Sequence, residues 1–198
     1  MEKTLKDYYN NVAEYYDEMT KDVNYSVGKW LSKINIPQNI DNVLDLGCGN
    51  GYVIRHLSEN HNYKRVVGID YSMKMVKEAR NTKLYEKVLY HDLRKKLPKT
   101  IQNDSFDIVF AFGFLEYITN INRLFKDVKS CLKGKFIFTL QRGIKNDKIY
   151  DTKITMYTKE EVLDLLKKHG MEIISINEDV GFYYGDDTIN YFYIVAKV

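Results

Sequence analysis

Four acidic residues and one run of glycines carry the chemistry this sequence could do. Asp45 stands among Val43, Leu44 and Leu46, in a stretch with the pattern of a buried strand, where a carboxylate is costly unless hydrogen bonds or a cation meet it. Gly47-Cys48-Gly49-Asn50-Gly51 follows at once. Glycines there permit backbone geometries closed to other residues and remove side chains that would hold a ligand off the main chain. Asp70 lies about 20 positions further on, where an acidic side chain meets a ribose diol in a dinucleotide-type half-fold. Asp92 could accept from the exocyclic amine of a purine. Glu116, within Phe112-Gly113-Phe114-Leu115-Glu116-Tyr117, could take a proton as a general base. Each has a plainer alternative: a tight turn that merely uses glycine, Asp70 as a helix cap, Glu116 as a solvated residue at a helix start. The pairing of Asp70 with the glycine loop favours a ligand.

The elements that must position these groups alternate. Asn42 to Leu46 reads as a buried strand, and Val53, Ile54 and Leu57 recur at helical spacing after the glycines. Arg65 to Ile69 repeats the strand, closed by Asp70, and Ser72 can cap a helix carrying Met75, Val76 and Ala79. Lys87 to Tyr90, Phe106 to Phe112 and Lys135 to Leu140 supply further strands. Ile121, Leu124, Val128 and Leu132 form a helical stripe, with Gly134 as punctuation before the fifth strand. A long polar connection leads to Tyr157, and Thr158 with Glu161 forms a capping box for a helix ending at Gly170. Glu172 to Ile176 and Tyr191 to Val195 close the chain as strands joined by a loop of Gly, Asp and Tyr. Residues 3–31, polar and dotted with Tyr, read as one or two short helices laid over the rest. The expected fold is an α/β, open, doubly wound sheet, mostly parallel, with the last two strands paired antiparallel at one edge. Ligands on such sheets bind beyond the carboxyl ends of the strands, where Asp45 to Gly51, Asp70, Asp92 and Phe112 to Tyr117 all fall.

The chain has 198 residues, enough for one substantial core, so one domain is expected. Thirty Lys and Arg against 27 Asp and Glu leave a formal charge of +3, far from the strongly basic balance that phosphate-backbone binding demands. Met1 to Asn10 lacks the basic stub and apolar run of a signal peptide, and no run of about 18 apolar residues offers a membrane span. With two cysteines, Cys48 and Cys131, a cytoplasmic location is expected. No His or Cys cluster has metal-ligand spacing, so no metal is expected. The sequence carries no signal for oligomeric state.

Taken together, Val43-Leu44-Asp45-Leu46-Gly47-Cys48-Gly49-Asn50-Gly51, Val67-Gly68-Ile69-Asp70 with Met75, Asp92-Leu93 and Phe106-Asp107-Ile108-Val109 closely resemble the class I S-adenosylmethionine-dependent methyltransferases. The likeness extends to Tyr15-Tyr16-Asp17, Tyr157-Thr158 and Gly170-Met171-Glu172, a layout like that of the small-molecule branch. The resemblance implies a Rossmann-like, seven-stranded sheet with the last strand antiparallel, a helical lid over 1–35 and a core over 40–198. It implies S-adenosylmethionine as cofactor, with Gly47, Cys48, Gly49 and Gly51 along its methionine part, Asp45 fixing the amino group and Asp70 holding the ribose. Asp92 and Leu93 would flank the adenine, Tyr71 and Met75 would wall the base, and Tyr16 would descend from the lid. Phe112 belongs to the same set, at the end of strand four.

Methyl transfer from a sulfonium needs alignment, water exclusion and, for a protonated nucleophile, a base. Glu116 is the candidate base, with His91 a weaker one. The Asn/Asp-Pro-Pro-aromatic motif of enzymes acting on planar amino groups is replaced here by Ala111-Phe112-Gly113-Phe114. Pro37 and Pro98 precede Gln38 and Lys99, so the Pro-Cys nucleophile of pyrimidine C5 enzymes is absent. These features point to an O or N nucleophile of a small-molecule acceptor and away from nucleic acid. Tyr8, Tyr9, Tyr15 and Tyr16 with Phe182, Tyr183 and Tyr184 could roof the acceptor pocket, or simply pack the lid onto the sheet edge. Alternatives are a tRNA or protein methyltransferase of the same fold, a non-enzymatic nucleotide-binding module, and a nicotinamide-dependent oxidoreductase, whose fingerprint wants a glycine where Tyr52 stands.

Overall fold

A computed structural model describes residues 4–143, 147–149 and 151–198, apart from the side chains at 147–149 and 184. Its centre is a seven-stranded sheet built from β1 (Asn39–Leu46), β2 (Asn62–Asp70), β3 (Lys87–Tyr90), β4 (Phe106–Ala111), β5 (Leu132–Gln141), β8 (Glu172–Tyr184) and β9 (Asp187–Lys197). Two short strands, β6 (Asp147–Ile149) and β7 (Thr152–Ile154), pair separately. The order in the sheet is β3-β2-β1-β4-β5-β9-β8. β1 to β5 run parallel, while β9 lies antiparallel between β5 and β8. Order reverses between β1 and β4, and a crevice opens at such a point beyond the strand ends.

Both faces are covered, because strand side chains alternate. Leu44, Leu46, Val67 and Val109 join one core with Phe125, Val128 and Leu166, contributed by α7 (Ile121–Cys131) and α8 (Lys159–Lys168). Val43, Val66, Ile108 and Phe110 join the other with Trp30, Leu31, Ile54 and Leu57, contributed by α3 (Val27–Leu31) and α4 (Tyr52–Leu57). Asp45, two residues from Val43, therefore belongs to the α3–α4 face. The expected caps form: Ser72 Oγ accepts from Met75 N at the start of α5 (Met73–Asn81), and Thr158 and Glu161 make a reciprocal box at α8.

The structure departs from the sequence reading in four places. Leu132 opens β5 instead of ending the preceding helix, and Gly134 lies inside that strand. The strand needs a glycine there because a Cβ at Gly134 would sit 2.3 Å from the Asp107 carbonyl oxygen. The polar connection before Tyr157 holds β6 and β7 in its described part. The Gly, Asp and Tyr loop near the end is instead a long hairpin turning at Gly185, which takes φ +59°. Finally, the amino-terminal segment holds α1 (Leu5–Val12), a 3-10 turn (Ala13–Tyr15), α2 (Tyr16–Asp22) and α3, more pieces than expected.

That segment is fastened over the carboxyl ends of the strands. Val12 and Ala13 pack with Met75, flanked by Tyr8, Tyr9, Tyr16 and Met19. Asn10 Oδ1 accepts from Ser72 Oγ (2.8 Å) and Lys74 N (3.3 Å) at the start of α5. Asp17 of α2 receives both terminal nitrogens of Arg55 in α4 (2.6 and 2.7 Å) and Asn50 Nδ2 of the glycine loop (2.7 Å).

Candidate functional site

Beyond the strand ends, beneath α1 and α2, lies a cavity, the place where small molecules and cofactors bind on such sheets. Its walls include Tyr16, Gly47, Gly49, Asp70, Tyr71, Met75, Asp92, Leu93 and Phe112, so the fold brings together most of the residues singled out in the sequence. The glycine loop is bent as the sequence anticipates, with Gly47, Gly49 and Gly51 at φ +64°, +52° and +87°. At Gly49 a Cβ would meet nothing within 4 Å, so the main chain there is bare toward the cavity. Gly47 is different: a Cβ would strike the Phe114 ring at 2.4 Å, so its bareness lets Phe114 close in.

Asp70 is the carboxylate at the centre of this wall. Gly49 N donates to Oδ2 (3.0 Å) and Ser72 N to Oδ1 (2.8 Å). These two bonds fix the plane of the group and leave acceptor capacity on each oxygen. Burial lifts its pKa to about 6, against the pull of the same backbone donors. A vicinal diol donates two hydroxyls to such a group, so the residues present fit a ribose, and the bare Gly49 backbone fits an adjoining chain.

Asp92 is already engaged. Arg94 reaches both its oxygens (Nε to Oδ1 3.0 Å, Nη2 to Oδ2 3.1 Å), and Arg94 N adds a third bond. Burial works to raise the pKa of Asp92, but these bonds hold it below the usual carboxylate value. The same guanidinium lies 5.5 Å from the centre of the Tyr71 ring, forming one polar-aromatic corner of the cavity.

Three residues expected at the cofactor do not line the cavity. Asp45 turns to the α3–α4 face and accepts from Tyr85 Oη at 2.7 Å; burial raises its pKa to about 7, eased by that hydroxyl and reinforced by Asp70. The partner such a buried carboxylate needs is thus Tyr85. Cys48 packs with Val76, Ala79 and Val88, away from the cavity, and burial pushes its thiol well up. Gly51 serves as the left-handed cap of α4, facing Thr82 and Tyr85. His91 is occupied with the loop, its Nε2 3.0 Å from the Lys96 carbonyl.

Glu116, the candidate base, does not line the cavity, although Phe112, Gly113, Phe114 and Tyr117 around it in sequence do. It is 2% exposed, not the solvated residue that the plainer alternative supposes. Tyr191 Oη donates to its Oε1 at 2.8 Å, while Oε2 has no hydrogen-bond partner. Burial raises its pKa to about 7, in the range suited to a base near neutral pH.

Of the aromatics expected to roof a pocket, Tyr9 and Tyr16 line the cavity. Tyr8 donates to Met19 Sδ (3.2 Å), and Phe182 packs on Tyr25 and Tyr191. Tyr15 and Tyr183 are largely exposed; the side chain of Tyr184 lies outside the described residues. Sequence reasoning did not single out Leu5, Arg94 or Ile118 as cavity walls, nor Tyr85 as the partner of Asp45. Arg94 was legible in principle, two residues from Asp92. Tyr85 was not, since α4, β2 and α5 all separate it from β1.

Among the described residues, no group of three or more His, Cys, Asp or Glu could hold a metal ion, and no helix is long and apolar enough to cross a membrane. Both cysteines are free and buried.

A mostly parallel sheet with a reversal of strand order, a bare glycine loop and a buried carboxylate beside it fit a nucleoside cofactor. Residues 43–135 match the model of a family described as a methyltransferase domain. An uncharacterized methyltransferase of Schizosaccharomyces pombe is 35% identical over 145 residues, covering 71% of this chain and 51% of its own length; the chain thus spans about half of that relative. Among solved structures, the methyltransferase in complex with the Haloferax volcanii Trm112 methyltransferase activator is similar at a TM-score of 0.75 and 18% identity, over 96% of this chain and 97% of that one. The DhpI–SAH complex is similar at a TM-score of 0.69 and 20% identity, over 96% and 93%. The chain thus carries a methyltransferase domain over residues 43–135 on the fold of the class I S-adenosylmethionine-dependent methyltransferases.

Proposed function

We propose that this chain transfers the methyl group of S-adenosylmethionine to an oxygen or nitrogen of a small-molecule acceptor. The observation that carries the reading is the cavity in which the Asp70 carboxylate and the bare Gly49 backbone meet beneath the amino-terminal helices. Asp70 would hold the ribose, Tyr71, Met75 and Leu93 the base, and the backbone from Gly47 to Gly49 the methionine part. Arg94 keeps Asp92 ionised and oriented, so that the adenine amine donates to a fixed acceptor. Asp45, Cys48 and Gly51 act through the loop: Tyr85 on Asp45 and the apolar seat of Cys48 hold the turn in shape. Once bound, the cofactor supplies a methyl carbon on a positively charged sulfur.

The chain's own work is alignment and exclusion of water. Tyr9 and Tyr16 of the lid cover the cavity, and Phe112 and Phe114 close its inner side. Glu116, poised by burial near neutral pH, is the proposed base. A small acceptor is favoured because Tyr9, Tyr16 and Tyr117 enclose the space next to the wall, leaving little room for a polymer strand. Two buried free thiols suit a reducing cytoplasm.

The test is release of S-adenosylhomocysteine when the protein and cofactor meet three separate pools: small metabolites, total RNA and denatured protein. Turnover with the metabolite pool alone is expected. Turnover only with RNA or protein would move the chain to the macromolecular branch, which the structural likeness to the Trm112-bound methyltransferase makes the natural second reading.

A further inference from the structure

The whole-chain balance of +3 conceals a segregation of charge. Residues 71–100 hold nine Lys and Arg against three Asp and Glu, a surplus of six, while the other residues taken together carry a deficit of three. The structure gathers this segment at one edge of the sheet: α5 packs Val76 and Ala79 against Val88 of β3, and β3 is an end strand. Lys74 and Lys77 stand on α5, Lys83 and Lys87 on the turn and edge strand that follow, and Lys95, Lys96 and Lys99 on the segment beyond β3; all seven are exposed. None of them enters an ion pair among the described residues. Two of the three acids are engaged by arginines, Glu86 by Arg65 and Asp92 by Arg94. Lysine on an edge strand guards it against pairing with another sheet, which accounts for Lys87 and not for the six on the helix, the turn and the segment beyond.

Two apolar side chains stand out at the same edge. Met73 opens α5, and Tyr90, paired in register with Asp70, ends β3; both are about half exposed. Asp70 and Arg94 line the cavity, so the basic edge runs up to its rim. The chemistry narrows the partner. Lysine is depleted from the cores of protein interfaces. Nucleic-acid recognition leans on arginine forks and open aromatic faces, but Arg80 donates to the Val88 carbonyl (2.7 Å), Arg94 is held by Asp92, and the Lys6 ammonium covers the Tyr90 ring at 5.0 Å from its centre. Flexible lysine charges around exposed Tyr and Met side chains suit an anionic bilayer, whose headgroups attract the charges while the tyrosine rests at their level.

We propose that the β3 edge docks this chain on an anionic lipid surface, with Lys74, Lys95 and Lys96 meeting headgroups around Met73 and Tyr90. The inference goes beyond the methyl-transfer reading and does not depend on it. Docked in this way, the molecule turns the Arg94 side of the cavity rim toward the lipid. The lysines act together as a field and not as a fitted site, so binding is strong at low ionic strength and fades as salt shortens the range of the charges.

The test is co-sedimentation of the intact chain with phosphatidylcholine vesicles, either pure or containing about one third phosphatidylserine, in about 0.1 M salt. Two triple variants lose the same charge in different places. One carries Lys74→Gln, Lys95→Gln and Lys96→Gln at the edge; the other carries Lys133→Gln, Lys167→Gln and Lys168→Gln, exposed residues of β5 and α8. Denaturation midpoints check that both fold as wild type does. Wild type should bind the anionic vesicles at least about tenfold tighter than the neutral ones, and about 0.5 M salt should release it. The edge variant should lose at least about tenfold in affinity and the other no more than about twofold. A single-stranded RNA added at the phosphate concentration of the anionic lipid should leave the chain on the vesicles. No preference for anionic vesicles, binding undiminished by salt, equal losses in the two variants, or displacement by the RNA would overturn the proposal. Calorimetry with S-adenosylmethionine on the same samples reports on the cofactor reading separately.

Discussion

At the scale of single residues, two aspartates of similar burial take opposite roles because of where their side chains face. Asp70 ends β2 and looks into the cavity with its oxygens held by main-chain donors. Asp45 lies within β1 and faces Tyr85. Both were legible as buried carboxylates needing partners, and the alternation of β1 even assigns Asp45 to the face of Val43. The identity of its partner was not legible, because Tyr85 approaches only through the packing of the turn after α5. Asp70→Ala removes the anchor of the glycine loop and the proposed ribose acceptor together. Charge-assisted hydrogen bonds contribute about 1.5–3 kcal/mol each, so S-adenosylmethionine affinity should fall at least tenfold by calorimetry. Unchanged affinity would remove Asp70 from the site. Asp45→Asn, in contrast, should leave affinity within a few-fold, since Tyr85 can still donate to the amide oxygen.

At the scale of elements, the strands and helices that end at the cavity followed from periodicity and caps, while their junctions did not. Gly134 looks like a stop signal, and only the approach of the Asp107 carbonyl in the neighbouring strand shows it to be a packing requirement. The β8–β9 hairpin was read short because its outer half, from Asn177 to Tyr184 and Asp187 to Asn190, is polar on a sheet edge. The lid is fastened by a compact latch, in which Asp17 holds Arg55 and Asn50 at once. Half-exposed ion pairs add little to global stability, so the latch should matter for closure. Arg55→Met is expected to shift the denaturation midpoint only slightly while weakening S-adenosylmethionine binding several-fold. A large stability loss with unaltered binding would make Arg55 a mere structural brace. Trp30, the sole tryptophan, lies 6.0 Å from the Phe112 ring that lines the cavity, so its fluorescence offers a direct report of closure.

At the scale of the whole molecule, the site is maintained against the fold's electrostatic interest. Burial lifts Asp45 and Glu116 to about 7 and Asp70 to about 6. The folded protein therefore holds these protons more tightly than the unfolded chain. Their stabilising contribution is complete below the unfolded carboxylate range and is lost as pH rises through the folded values. Asp17 and Asp104, lowered by Arg55 and Arg65 respectively, act in the opposite sense but finish doing so at more acid pH. The ligand-free protein should thus become less stable from about pH 5 to about pH 8, and Asp45→Asn should flatten that fall. Denaturant midpoints across the range measure both; a rise with pH would contradict the account.

The most direct measurement of the central claim is calorimetric titration of the intact chain with S-adenosylmethionine, with NADH as the competing nucleoside cofactor. One equivalent of S-adenosylmethionine should bind with micromolar affinity and NADH should not, with the binding lost in Asp70→Ala. Binding of NADH instead, or of neither, would show that the cavity beneath the lid serves a different ligand and that the methyl-transfer reading is wrong.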